Sequence, residues 1–173
     1  MEFAGGSNLQ KLIENRGFAL MEENIIIDLA KQICSGIKVI HENNIVHRDL
    51  KPENIFMDDE TKKIKIGDFG ISVITETNEI KFTKEYGTDF YIAPELSLNQ
   101  EKYNNKIDIY SFGCIIYELF TLNAYYTDLR EGNDCEINSV YNKKWQNLIN
   151  LLLDKNPRNR PDIKKVYEIL NSN

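Results

Sequence analysis

From Glu22 to about Glu42, apolar residues at Ile25, Leu29, Ile33, Ile37 and Ile40 recur every three or four positions. That period predicts a long helix with one apolar stripe, stopped by Asn43-Asn44. Ahead of it the chain looks extended, breaks at Gly5-Gly6, and offers Ser7 as the cap of a short helix. This helix would run through Leu9, Leu12 and Ile13 and end near Arg16-Gly17. Behind the long helix the apolar pieces are short: Ile45-Val46, then Ile55-Phe56-Met57, then Ile64 and Ile66. The turn-like Asp58-Asp59-Glu60 joins the last two into a small hairpin. Residues 68 to 95 hold no period and read as one long loop, a feature that is usually functional in a compact domain. Ile107 to Leu122 is apolar nearly all round, which suits a helix at the centre of a domain. After a polar stretch from 123 to 142, Trp145, Leu148, Ile149 and Leu152 mark another helix. Pro161 then opens a last one through Ile163, Val166, Tyr167 and Leu170. The pattern predicts a mainly α fold with a small β-hairpin element and one long loop.

Composition narrows the class. A chain of 173 residues with 42% hydrophobic and 10% aromatic residues can bury one substantial core. The formal charge of −6 supplies no basic stripe for nucleic acid or an anionic membrane, so neither is expected as a partner. No apolar run is long enough to span a bilayer, and the acidic N-terminus has no secretory pattern. Cys34, Cys114 and Cys135 lack metal-ligand spacing. Two of them sit inside apolar helical patterns and read as buried thiols of an intracellular protein.

The chemistry concentrates in His47-Arg48-Asp49-Leu50-Lys51-Pro52-Glu53-Asn54 and in Asp68-Phe69-Gly70. Asp49 lies between a helix and a strand, where a rigid scaffold presents loops. The amide of Asn54 and the carboxylate of Asp68 are hard oxygen donors suited to Mg²⁺, which takes its other ligands from phosphates and water. Lys51, two residues past Asp49 on an extended backbone, would point the same way and neutralise a phosphoryl group. Any one of these residues alone would read as a solvated or capping side chain. Together their spacing outweighs that plain alternative.

These segments resemble the catalytic loop and the metal-binding motif of the eukaryotic protein kinases, and Ala93-Pro94-Glu95 resembles the end of the activation segment. The likeness covers the whole chain as a hinge plus C-terminal lobe, residues 1–173, with an activation segment at 68–95. It implies that Asp49 accepts or orients the proton of the substrate hydroxyl and that Lys51 contacts the γ-phosphate of ATP. Asn54 and Asp68 would hold Mg²⁺. Glu2 and Ala4 resemble hinge positions for the adenine edge, and Phe56 the residue beneath its ring. His47 and Phe69 resemble the lower half of the hydrophobic stack that separates active from inactive states, and Gly70 completes the motif that resembles the metal-binding one. Asp108 resembles the aspartate that braces the catalytic loop, and Arg160 the buried arginine paired with Glu95. Lys51 and the Gly87-Thr88 pair follow the serine/threonine pattern, with Thr88 helping to present the acceptor hydroxyl of a protein substrate. Arg48 implies control by activation-loop phosphorylation, with Thr83 as acceptor. A cytoplasmic or nuclear location is expected. Among subgroups, Asn54-Ile55-Phe56 and the run from Tyr103 to Cys114 most resemble the NIMA-related kinases, with kinases of translation initiation factor 2 as the rival.

The pattern also has gaps. No glycine-rich phosphate loop and no strand lysine of the Val-Ala-Ile-Lys type stands before His47. The expectation is a partial kinase domain with doubtful activity on its own and an apolar cleft exposed to solvent. The alternative is an inactive, pseudokinase-like module that scaffolds partners, against which stands the retention of both Asp49 and Asp68.

Overall fold

The computed structural model describes residues 7–17, 19–58, 60–75, 80–81, 89–97, 102–121, 123 and 135–172. Its framework is helical. Helix α1 (Leu9–Asn15) is capped by Asn8, whose side chain accepts from the Lys11 N–H at 3.0 Å. The cap expected at Ser7 therefore sits one residue later. Ser7 and Asn8 instead form strand β1, paired with Met57 and Phe56. Gly17, at φ 59°, ends the turn after α1 in the left-handed region that glycine tolerates.

Helix α2 (Glu23–Glu42) buries Ile26, Leu29, Ala30, Ile33, Cys34, Ile37 and Ile40. The expected stripe is there, with one exception: Ile25 faces outward at 48% exposure. Asn43 closes the helix, and Asn44 turns the chain with a left-handed φ of 58°. Strand β2 (Ile45–Val46) leads into the segment from His47 to Lys51. A 3-10 turn (Pro52–Asn54) follows, then the hairpin of β3 (Ile55–Met57) and β4 (Ile64–Ile66). At the hairpin tip the Asp58 carboxylate accepts from the N–H groups of Glu60 and Thr61, 3.1 and 2.7 Å, and from the Thr61 hydroxyl at 2.8 Å. These bonds hold its pKa below the ordinary aspartate value. With β1 added, the predicted hairpin is a three-stranded sheet in the order β1-β3-β4.

The stretch from 68 to 95 is more structured than its lack of period suggested. It contains β5 (Val73–Ile74), antiparallel to β2, and β6 (Ile80–Lys81), antiparallel to β7 (Lys102–Tyr103). A 3-10 turn (Asp89–Tyr91) and a four-residue helix α3 (Pro94–Ser97) complete it. Two-residue strands are too short to show a period of two, so they leave no pattern in the sequence.

Helix α4 (Lys106–Thr121) runs through the centre, and every residue from Ile107 to Phe120 is buried. Gly113 lets α5 (Lys143–Leu152) approach: a Cβ there would lie 2.8 Å from the Leu152 Cβ. Helix α6 (Ile163–Asn171) is capped by Asp162, next to the expected Pro161, and packs against α2. Cys34 and Cys114 are free and buried, and burial pushes the Cys34 thiol up to about 12. No helix among the described residues is long and apolar enough to cross a membrane.

Candidate active site

The site is built from α4 outward. Asp108, in the first turn of that helix, is fully buried, and its carboxylate accepts three hydrogen bonds. The backbone N–H groups of His47 and Arg48 donate to it at 2.9 and 3.0 Å, and His41 Nε2 donates at 2.9 Å. A buried carboxylate needs such donors, because unpaired it would carry several kcal/mol of desolvation cost. Here two of the donors belong to the backbone turn at His47 and Arg48. The turn is strained: Arg48 has φ 73°, a left-handed conformation unusual for a residue with a side chain. Its guanidinium lies 5.8 Å from the centre of the Tyr103 ring.

Asp49, Lys51 and Asn54 converge just beyond. Lys51 Nζ stands 3.1 Å from Asp49 Oδ2. The Asn54 amide nitrogen donates to the same oxygen at 3.0 Å and to the Asp49 carbonyl at 2.8 Å. These two acceptors fix the amide orientation and turn Asn54 Oδ1 away from Asp49 as an available oxygen ligand. The Asn54 carbonyl accepts from the Gly67 N–H at 2.9 Å, which ties this group to the second loop.

In that loop Asp68 is exposed and has a left-handed φ of 61°. Its Oδ1 accepts from the Gly70 N–H at 3.3 Å. His47 holds the approach to it. His47 Nδ1 accepts from the Asp49 N–H at 3.3 Å, so the ring proton resides on Nε2 and is donated to the Gly67 carbonyl at 3.0 Å. Phe69 packs on the His47 ring with centroids 4.8 Å apart and remains 42% exposed. The Phe56 ring fills the space where a Cβ at Gly67 would sit, 2.8 Å away.

Glu95 and Arg160 form a buried two-pronged pair, with both N–O distances 2.7 Å. Arg160 donates further to the carbonyls of Lys106 and Asp154, which leaves little of its charge unsatisfied. Glu2, Ala4, Thr83 and Thr88 lie outside the described residues.

Several participants carried no signal in the sequence. His41 is one more polar residue on the helix, and only the fold brings it to Asp108. Ser72 donates its hydroxyl to the His47 carbonyl at 3.0 Å. Tyr91 donates to Glu118 at 2.6 Å inside the core, and burial raises the pKa of both groups. Oxygen donors, an anchored lysine and a strained loop fixed to a buried helix make up the site, and Asn54 Oδ1 with the Asp68 carboxylate fit a hard cation such as Mg²⁺.

This chain belongs to the protein kinase domain family, whose description matches residues 1–170. It is 34% identical over 98% of its length to the interferon-induced, double-stranded RNA-activated protein kinase of Mus musculus, and 36% identical over 97% to serine/threonine-protein kinase Nek5 of Homo sapiens. A probable serine/threonine-protein kinase, nek3 of Dictyostelium discoideum, is 35% identical over 98% of the chain. The chain spans 34%, 25% and 16% of the lengths of these three relatives. The resemblance to NIMA-related kinases is matched by the Nek proteins.

Proposed function

We propose that the chain is the hinge and catalytic lobe of an ATP- and Mg²⁺-dependent serine/threonine protein kinase, which transfers the γ-phosphoryl group of ATP to a protein hydroxyl. The observation that carries this reading is the convergence of Lys51 and Asn54 on one oxygen of Asp49, next to the loop that bears Asp68. In this reading the acceptor serine or threonine hydroxyl gives its proton to the Asp49 carboxylate as its oxygen attacks. Asn54 and the backbone around His47 keep that carboxylate in place, so little reorganisation is needed in the reaction. Lys51 stands beside Asp49 as a fixed positive charge for the incoming phosphoryl oxygens. Asn54 and Asp68 would hold Mg²⁺, which when bound neutralises phosphate charge. Phe56 would lie beneath the adenine, with backbone groups of Glu2 and Ala4 at its edge. Thr88 would help to present the acceptor, and phosphorylated Thr83 would pair with Arg48.

The partner is a protein bearing a serine or threonine acceptor, and the net charge of −6 speaks against nucleic acid. The buried free thiols support a reducing, intracellular setting, cytoplasmic or nuclear. The test is transfer of labelled phosphate from ATP, with and without Mg²⁺, to otherwise matched peptides carrying serine, threonine or tyrosine. Magnesium-dependent labelling of the serine and threonine peptides is expected. Labelling confined to tyrosine would overturn the substrate class, and none at all from protein shown to bind MgATP would overturn the transferase reading.

A further inference from the structure

We propose that Gly67 is a specificity-determining residue of the nucleotide site: its lack of a side chain lets the Phe56 ring lie against the backbone as an aromatic floor for a planar base. The proposal deepens the transferase reading and rests on it for the identity of the ligand. Successive residues of a strand point to opposite faces, and in the β3–β4 hairpin the two faces differ. Ile55 is fully buried, and its cross-strand partner Ile66 packs against α2, where a Cβ at Gly36 would lie 2.8 Å from the Ile66 Cδ1. Phe56 and its partner Lys65 therefore occupy the other face, where Lys65 is exposed and Phe56 half-buried. Gly67 follows Ile66 and belongs to that same outer face, diagonal to Phe56.

The backbone does not require glycine here. Among the described glycines Gly17 is the one with a positive φ, so a residue with a side chain fits the conformation at 67. What excludes a side chain is the ring: a Cβ would lie 2.8 Å from Phe56 Cε2 and 3.2 Å from Cδ2. Nor is the backbone free to retreat. The Gly67 N–H donates to the Asn54 carbonyl at 2.9 Å, and the Gly67 carbonyl accepts from His47 Nε2 at 3.0 Å. An added methyl group must therefore displace the ring. With Ile55 and Ile66 filling the core side, the ring's free direction is outward, into the space of the base it would support. Gly67 also bonds to Asn54 and directly precedes Asp68, so the floor adjoins both oxygen donors assigned to Mg²⁺. A planar base on the ring and phosphates beside those donors fit a single nucleotide.

The experiment compares wild type, Gly67→Ala, Phe56→Leu and the double variant in the whole chain, with Kd measured by calorimetry for MgATP and for adenosine, which carries the base without phosphates. Gly67→Ala is expected to weaken both ligands about tenfold, since the displaced ring opposes the base. Phe56→Leu should weaken both about fivefold, the low end of what one base stacked on an aromatic ring contributes. Leucine ends at Cδ, so the closest contact with residue 67 is gone. The double variant should therefore bind within about twofold of Phe56→Leu alone, and it should do so even where Gly67→Ala by itself fails to fold. Independent effects would multiply to about fiftyfold in the double variant, and that result would overturn the proposal. So would wild-type affinity for adenosine in Gly67→Ala, or a wild type that binds neither ligand. Intact binding and coupling without phosphate transfer would count against the transferase reading and leave the Phe56–Gly67 floor in place.

Discussion

Two regions of the molecule are stabilised in different ways. Around α4 the chain buries a continuous apolar core and pairs charges that it buries: Arg160 makes a two-pronged pair with Glu95, and Asp108 collects three donors. At the rim the elements are two- and three-residue strands, and Arg48 and Asp68 are left-handed. Phe69 and Ile74 stand exposed there, at 42% and 77%. The base supplies rigidity, and the rim supplies functional groups that could not be buried without losing their purpose. Asp108 joins the two, because the residue buried in the core also accepts the backbone N–H groups of His47 and Arg48. Strain at the rim is thus sustained by interactions made elsewhere.

Variants that break one region should report on how far the two depend on each other. The largest effect is expected from Glu95→Ala, which leaves the Arg160 guanidinium buried and unpaired. A loss of about 3–5 kcal/mol is expected, read from urea denaturation. A loss below about 1 kcal/mol would mean that the pair contributes little to the base. Asp108→Asn is the next step down. An amide offers one acceptor oxygen where the carboxylate offered two, so at least one of the three donors faces an NH₂ group. About 1–3 kcal/mol should be lost, together with protection from exchange at the amides of His47 and Arg48. Unchanged exchange there would separate the rim from the base.

The smallest effect concerns Glu118, whose folded pKa is raised by burial. A raised carboxyl pKa means that the folded state binds the proton more tightly than the unfolded chain. Its contribution to stability is fully present below the ordinary value near 4.5 and is lost as pH rises from there through the folded pKa. Glu118→Gln keeps an acceptor for the Tyr91 hydroxyl and removes this slope. The difference in unfolding free energy between variant and wild type should therefore shift in favour of the variant from pH 4.5 to pH 8. A difference independent of pH would contradict it.

The sequence was most legible where burial repeats. The stripe of α2 and the all-round apolarity of α4 follow directly from their periods, as do the buried faces of α5 and α6. It was least legible where one hydrogen bond decides. Ser7 and Asn8 are both good caps, and only pairing with Met57 and Phe56 draws Ser7 into a strand. The pairings of β5 and β6 depend on partners distant in sequence, Ile45–Val46 and Lys102–Tyr103, which no local pattern announces. Within the site, motif residues identify Asp49, Lys51, Asn54 and Asp68. His41 and Ser72 are visible only once the fold places them against Asp108 and His47.

The most direct test of the division between base and rim is Asp49→Asn, with kcat and the denaturation midpoint measured on the same preparation. The variant keeps size and shape at the group assigned to proton transfer. A fall of about 10²–10⁴-fold in phosphate transfer is predicted, with the unfolding free energy derived from the midpoint within about 0.5 kcal/mol of wild type. Transfer that survives the substitution, or a loss of stability as large as that expected of Glu95→Ala, would contradict the assignment of Asp49 to chemistry.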